Sequence, residues 1–237
     1  MARKKRAAKS KRQWRPLRAS VRGLTRFGMI AVMFLIIAVA AFAFFNPPTT
    51  PYMLSEGRRI GPVERVWADW DDIAPVMGRA AVAAEDANFC LHWGFDMRAI
   101  RAAIAEGGTR GASTITQQTV KNLYLWHGRS YLRKALEAGL TPLVEAVWSK
   151  QRILEVYLNI AEFDEGVFGV EAAAQHYFGV AAKDLSPIQA SRLAAILPAP
   201  KSRSASQPSA FVETRARAIR DGAATIHADG RASCFES

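Results

Sequence analysis

Two short segments, EDANFCLHWG at residues 85–94 and GASTITQQTVKN at residues 111–122, decide how this sequence is interpreted. Each combines polar and charged side chains with small residues in a window that is neither apolar core nor simple loop. A helix that only packs would not need two adjacent acids near His92, or two adjacent glutamines just before Lys121. An acidic segment followed by a cationic one indicates chemistry on a charged substrate.

Glu85 and Asp86 are the candidates for acid–base chemistry. Acids at the C-terminal end of an Ala-rich helix oppose the helix dipole, which raises their pKa. Aromatic side chains follow at once and predict a partly buried wall, against which a carboxylate suits general-base work. His92 is interpreted as a structural hydrogen-bonding residue, and the alternative for the two acids is a solvated turn. The ring-bearing residues of this predicted wall are Phe89, His92, Trp93 and Phe95.

The second segment predicts an anion site. Ser113 and Thr114 offer hydroxyl groups at a helix N-terminus, which attracts anions. Gln117 and Lys121 are four residues apart and share a helix face. The set fits a phosphate or sugar-phosphate, and the alternative is an ordinary capped helix with a polar face.

Two further polar clusters follow along the chain. Arg133, Lys134 and Glu137 form RKALE, in which an i,i+4 pair taken alone would be a surface salt bridge worth ~0.3 kcal/mol. In KQRILEVYLN at residues 150–159, the apolar residues are expected in the core and Glu155 in a structural role.

The excess positive charge of the chain lies at its N-terminus. Residues 1–26 hold eleven of the 32 Lys and Arg residues and no acid, so 21 basic and 21 acidic residues remain in the rest. Residues 27–45 are uncharged, and as a helix they would span about 28 Å, close to the ~30 Å hydrocarbon core. A basic tail alone could bind nucleic acid, but this order predicts a cytoplasmic tail, a transmembrane helix and no nucleic-acid partner.

The remaining sequence predicts one mainly α-helical domain. Residues 46–54 are expected to be a linker, 55–226 the catalytic domain and 227–237 a polar tail. An uncleaved anchor is favoured over a signal peptide, since the apolar run is long and ends in Phe-Phe-Asn-Pro-Pro. Cys90 and Cys234 could pair outside the cytoplasm, but two cysteines form no framework and both are interpreted as incidental. Helical spacing occurs at 74–87, 96–105, 114–126, 131–148, 150–163, 168–178, 187–197 and 210–226, and the best strand signal is 63–67.

Together these segments resemble glycosyltransferase family 51, the peptidoglycan polymerase module, and within it the monofunctional biosynthetic transglycosylases. The resemblance covers roughly residues 55–200 and also includes GVFGVEAAA at 166–174. The chain has no Ser-x-x-Lys nucleophile, and no room is expected for the transpeptidase domain of bifunctional relatives. In the last motif Leu-Pro-Ala-Pro at 197–200 is present, but Arg192 interrupts the preceding helix.

The resemblance implies a lysozyme-like helical domain that polymerises lipid II into β-1,4 glycan strands and releases undecaprenyl pyrophosphate. It implies that Glu85 is the general base and Glu137 the second essential acid. A divalent metal, Mg²⁺ or Mn²⁺, is expected to assist the leaving group without a recognisable ligand cluster. The substrate-binding residues would be Asp86, Ser113, Thr114, Gln117, Gln118, Lys121, Asn122, Arg133 and Lys134, with Lys121, Arg133 and Lys134 on the pyrophosphate.

The resemblance also implies partners and a location. The expected partners are lipid II, the lipid-linked glycan chain, the membrane, and cell-wall synthesis or division proteins. The expected location is the cell inner membrane, with a single span and a periplasmic catalytic domain. Two other functions are weighed against this one: a lytic transglycosylase or lysozyme, which needs no pyrophosphate site, and a non-catalytic membrane-anchored scaffold.

Overall fold

The computed structural model describes residues 23, 25–107, 111–128 and 130–236, which divide into two compact units at Phe45 and Asn46. The first unit contains helix α1, whose 18 residues Thr25–Phe42 have a mean hydropathy of 2.2. Within the described residues this is the one helix long and apolar enough to cross a membrane. Most of the predicted basic tail, residues 1–22 and 24, lies outside the described residues.

The second unit is mainly helical, as predicted. Short 3-10 turns at Phe89–Leu91 and Pro200–Ser202 connect some of its elements. The elements are α2 (Pro51–Ile60), β1 (Glu64–Arg65), α3 (Pro75–Glu85), α4 (Met97–Ala105), α5 (Ile115–Tyr124), α6 (Tyr131–Val147), α7 (Lys150–Ile160), β2 (Glu162–Asp164), β3 (Val167–Phe168), α8 (Val170–Phe178), α9 (Pro187–Ile196) and α10 (Ala210–Ala228).

Two helical groups and a small sheet make up the unit. Helices α3, α9 and α10 pack together, and α5 packs against α6 and α7. Strand β3 lies in the middle of the sheet, parallel to β1 and antiparallel to β2. Fully buried aromatic side chains, among them Phe89, Tyr157, Phe163 and Phe235, form part of the core. The elements that carry the two motifs, α3 and α5, therefore rest on a packed scaffold.

Local sequence signals explain where several helices begin. Ser186 and Gln189 form the predicted capping box of α9, and Thr114 and Gln117 form that of α5. In each box the hydroxyl accepts the backbone N–H three residues on, and the amide oxygen accepts the N–H of the capping residue. These boxes satisfy backbone donors that a helix N-terminus otherwise leaves unpaired.

Some predicted boundaries are wrong. The expected linker at 46–54 contains the start of α2, because Thr50 caps that helix and Pro51 occupies its first position. The helix expected over 150–163 ends at Ile160, since residues 162–164 pair with β3, and Phe168 belongs to that strand rather than to α8. The predicted strand at 63–67 is only two residues long.

The C-terminal residues pack against the rest of the unit, and the two cysteines are not incidental. Cys90 and Cys234 form a disulfide with a Cα–Cα distance of 5.6 Å, and Phe235 is fully buried. Helix α10 packs along α3 and so returns the chain to the turn that follows Glu85. The pairing depends on this long-range packing, which a separation of 144 residues conceals in the sequence.

Candidate active site

Glu85 is the last residue of α3 and its carboxylate is largely buried, with 14% of the side chain exposed. Gln118 Nε2 donates a hydrogen bond to Glu85 Oε2 at 2.9 Å, whereas Oε1 is buried and has no hydrogen-bond partner among the described residues. Burial raises the pKa of Glu85, although Gln118 and the positive charges of Arg215 and Lys121 oppose that rise. A carboxylate with a raised pKa and one unbonded oxygen can accept a proton from a bound hydroxyl.

Asp86 joins the two sequence segments. Its Oδ1 lies 2.8 Å from His92 Nε2, and its Oδ2 accepts the backbone N–H of Ile115 at 3.0 Å. The carboxylate thus binds the first turn of α5, where backbone donors and the helix dipole favour negative charge. These contacts confirm a hydrogen-bonding role for His92 and give Asp86 a positioning role, while its predicted contact with substrate stays a prediction.

Gly94 closes the first segment against α5 and α6. Its φ of +82° is favourable only for glycine, and a Cβ here would lie 2.5 Å from Thr141 Cγ2. The close approach lets Thr114 Oγ1 donate to the Gly94 carbonyl at 2.7 Å. Thr114 and Gln117 are both buried and engaged in capping α5, so their main described contacts are within the protein.

A buried polar network links the first segment to helices α5, α6 and α7. Glu145 Oε1 accepts from Thr116 Oγ1 at 2.6 Å and from Lys150 Nζ at 2.8 Å. Lys150 also donates to the His92 carbonyl at 2.8 Å. Helices α5, α6 and α7 are therefore tied to the segment that carries Asp86.

The RKALE motif is not a surface salt bridge. Glu137 is buried, and its two oxygens accept from Lys134 Nζ and, at 2.7 Å, from Arg133 Nη1. Lys134 Nζ also lies 3.3 Å from Ser113 Oγ, at the N-terminus of α5. Because Glu137 neutralises only one of two cations, the cluster keeps a net positive charge beside that helix end.

Lys121 is close enough to both acids, Glu85 and Glu137, to be influenced by their charge. Burial lowers the pKa of its ammonium group. The sequence placed Gln117 with Lys121 on one face, but it is Gln118 that lies with Lys121 in the cleft beside Glu85. Asn122 is not among the residues that line this cleft, and its Oδ1 lies 3.2 Å from His127 Nε2.

Two clefts meet at this site. The main cleft encloses about 830 Å³ and runs from α3 and α4 to the N-terminus of α5. The second cleft encloses about 440 Å³, and its lining includes Tyr52, Asn122, His127, Tyr157 and Lys201. Gln118, Lys121 and Pro198 line both clefts. The predicted residues that line the main cleft are Glu85, Asp86, Ser113, Thr114, Gln118 and Lys121.

The prediction that aromatic side chains bury Glu85 is wrong. Phe89 is fully buried in the core and Trp93 is 63% exposed, and neither is among the residues that line the main cleft. The cleft around Glu85 is instead lined by Ala83, Ala84, Gln118, Pro198 and Arg215. Arg215 could not be identified from the sequence, because nothing local distinguishes it from the other arginines of α10.

No resident metal site accompanies these residues. Within the described ranges, no group of three or more His, Cys, Asp or Glu side chains is arranged to hold a metal ion. Both oxygens of Glu137 are already engaged by cations. Glu137 therefore has no unengaged oxygen in this arrangement, and the expected divalent cation stays a prediction.

Comparison of the sequence with known proteins identifies its family. The family model described as "Transglycosylase" matches residues 55–224. A biosynthetic peptidoglycan transglycosylase of Jannaschia sp. (strain CCS1) is 58% identical over 98% of both chains. A protein of the same name from Pseudomonas fluorescens (strain Pf0-1) is 50% identical over 82% of this chain and 85% of its own, and one from Caulobacter vibrioides is 45% identical over 84% and 89%. The chain therefore belongs to the transglycosylase family, among the biosynthetic peptidoglycan transglycosylases.

Proposed function

We propose that this chain is a peptidoglycan glycosyltransferase that polymerises lipid II into β-1,4-linked glycan during cell wall biosynthesis. The observation that carries the proposal is the lining of the main cleft, where Glu85 lies with Lys121 and with Ser113, which contacts the cationic Lys134. A sugar hydroxyl nucleophile needs a base, and a pyrophosphate leaving group needs cations. Family membership and the names of the relatives support the same reaction.

Glu85 is the general base of the proposed reaction. The 4-hydroxyl of the acceptor sugar gives its proton to Glu85 as its oxygen forms a bond to C1 of the donor sugar. The bond between C1 and the pyrophosphate oxygen breaks, and the configuration at C1 inverts. Because burial raises the pKa of Glu85, its proton affinity is higher than that of an exposed carboxylate.

Lys121, Arg133 and Lys134 stabilise the charge of the departing pyrophosphate. Glu137 holds Arg133 and Lys134 in place before the substrate arrives, so little rearrangement is needed as the charge develops. Ser113 contacts Lys134 and completes this end of the site. The expected Mg²⁺ or Mn²⁺ would enter with the pyrophosphate as part of the substrate.

The catalytic unit is proposed to lie on the periplasmic side of the inner membrane, anchored by α1. The basic residues ahead of α1 favour a cytoplasmic N-terminus. The Cys90–Cys234 disulfide supports the same orientation, since disulfides persist mainly in oxidising compartments. Alkaline phosphatase fused to the C-terminus should be active, and a mature N-terminus at residue 46 or later would overturn the anchor.

Labelled lipid II separates the proposed function from its alternatives. The full chain in detergent should produce a ladder of glycan polymers on a gel, and lysozyme should digest that ladder. Glu85→Gln should produce none. Cleavage of added glycan would indicate a lytic enzyme, and no reaction with either substrate would indicate a scaffold.

A further inference from the structure

We propose that Arg215 of helix α10 is a positioning residue, which fixes the Glu85 carboxylate in the main cleft and favours its ionised form. The inference rests on the proposed role of Glu85 as the base. Arg215 lies outside both sequence segments and is 130 residues from Glu85 in the chain. It reaches the cleft only because α10 packs against α3.

The geometry brings the guanidinium to the end of α3. Arg215 Nη2 donates to the carbonyl of Ala84 at 3.3 Å and lies 3.9 Å from Glu85 Oε1. The first contact satisfies a carbonyl in the last turn of the helix, where cations are favourable. The second is an electrostatic contact rather than a hydrogen bond, so Arg215 does not use the hydrogen-bonding capacity of Oε1.

Each group that faces Glu85 has a distinct effect. Gln118 of α5 binds Oε2 but carries no charge, and Lys121 of the same helix contributes a positive charge directed also to Glu137. The neighbouring Asp86 opposes ionisation of Glu85, and Tyr157 of α7 is a buried phenol whose raised pKa keeps it neutral. Arg215 is thus the cation that lies near Oε1, the Glu85 oxygen to which Gln118 does not bind.

The stretch of α10 that carries Arg215 is fixed by packing and by an ion pair. Its neighbours Ala216 and Ile219 are buried in the packing of α10. Glu213 pairs with Arg192 of α9 at 3.0 Å, which anchors the same turn of the helix. Arg192, which interrupts the apolar pattern of α9, therefore serves the contact between α9 and α10.

The test is the pH dependence of lipid II polymerisation by the full chain in detergent. In Arg215→Gln the acid limb should move upward by about 0.5–1 pH unit, since loss of a nearby cation raises a carboxylate pKa and partial exposure limits the effect. The rate on that limb should fall about 3- to 10-fold and recover at higher pH. Arg217→Gln, a change of an exposed arginine on the same helix, should leave the profile unchanged.

Further variants separate positioning from a merely structural role. Arg215→Lys retains the charge and should keep most of the wild-type acid limb. Arg215→Met keeps the aliphatic packing without the charge, and it replaces the Gln variant should that protein fail to fold. An acid limb at the wild-type position in the folded neutral variant would overturn the proposal, even if its rate is lower at every pH. The proposed function fails separately, if the wild-type chain does not polymerise lipid II.

Discussion

The disulfide between Cys90 and Cys234 gives the most direct test of how the C-terminal segment is held. The perturbation is the double substitution Cys90→Ser and Cys234→Ser in the full chain. The bond joins the turn just after Glu85 to the segment after α10. Its loss removes a covalent constraint while Phe235 and the bonds from Arg231 to Ala87 and Asp229 remain available.

The magnitude follows from the chain length that the bond closes. With the cysteines 144 residues apart, the loop-closure relation gives about 17 cal/mol/K, or about 5 kcal/mol at 25 °C. Residual structure in the unfolded chain reduces this, and about 2–4 kcal/mol is expected. For a unit of this size the midpoint of thermal unfolding should fall by about 5–15 °C.

Thermal unfolding monitored by near-ultraviolet circular dichroism measures the difference. The oxidised wild type should unfold at the higher temperature, and reductant should bring it to the midpoint of the double variant. Reductant should not shift the double variant itself, which serves as the control. Equal midpoints for the oxidised wild type and the variant, with the bond verified by mass spectrometry, would refute the reasoning from loop closure.

Three other predictions test the site. Glu85→Gln should lower the rate of polymerisation ~10²- to 10⁴-fold without lowering the unfolding temperature. Because the pKa of Glu85 is raised by folding, its ionised carboxylate destabilises the folded state as the pH rises, and the neutral amide does not. A lower unfolding temperature for the variant at neutral pH would contradict this reasoning. The initial rate of polymerisation should follow a bell-shaped pH profile. Its acid-side midpoint should lie above the usual pKa of Glu, because the pKa of Glu85 is raised, and its alkaline-side midpoint below that of an exposed Lys, because the pKa of Lys121 is lowered. A flat profile would exclude Glu85 and Lys121 as the titrating pair. Gly94→Ala should cost about 2–3 kcal/mol in denaturant unfolding, whereas Gly139→Ala in α6, where a Cβ meets nothing within 4 Å, should be neutral or slightly stabilising.

Much of the fold could be predicted because its signals are local. Apolar residues at helical spacing mark α3 to α10, and capping boxes at Thr114 and Ser186 define where two helices begin. The start of α2 has a local signal too, since Thr50 is a cap and Pro51 a first-turn proline, but the same Pro- and Thr-rich composition is also typical of a linker.

The site was predictable only where its residues share a segment. Glu85, Lys121 and the RKALE motif could be identified because charge occurs there in unusual local patterns. The burial of Glu137, the pairing of Cys90 with Cys234 and the approach of Arg215 depend on contacts between distant elements. Such contacts are determined by packing, and no spacing within a single helix reports them.

The two bonds of Asp86 have a consequence for any attempt to transplant this chemistry. One carboxylate joins the loop behind the base to the first turn of the helix that carries Lys121. If either segment were grafted alone onto another scaffold, it would lack the Asp86 contacts that hold the two segments in their relative positions. A transfer of this chemistry would therefore need both segments together, the residues Glu145 and Lys150 that support them, and the RKALE motif.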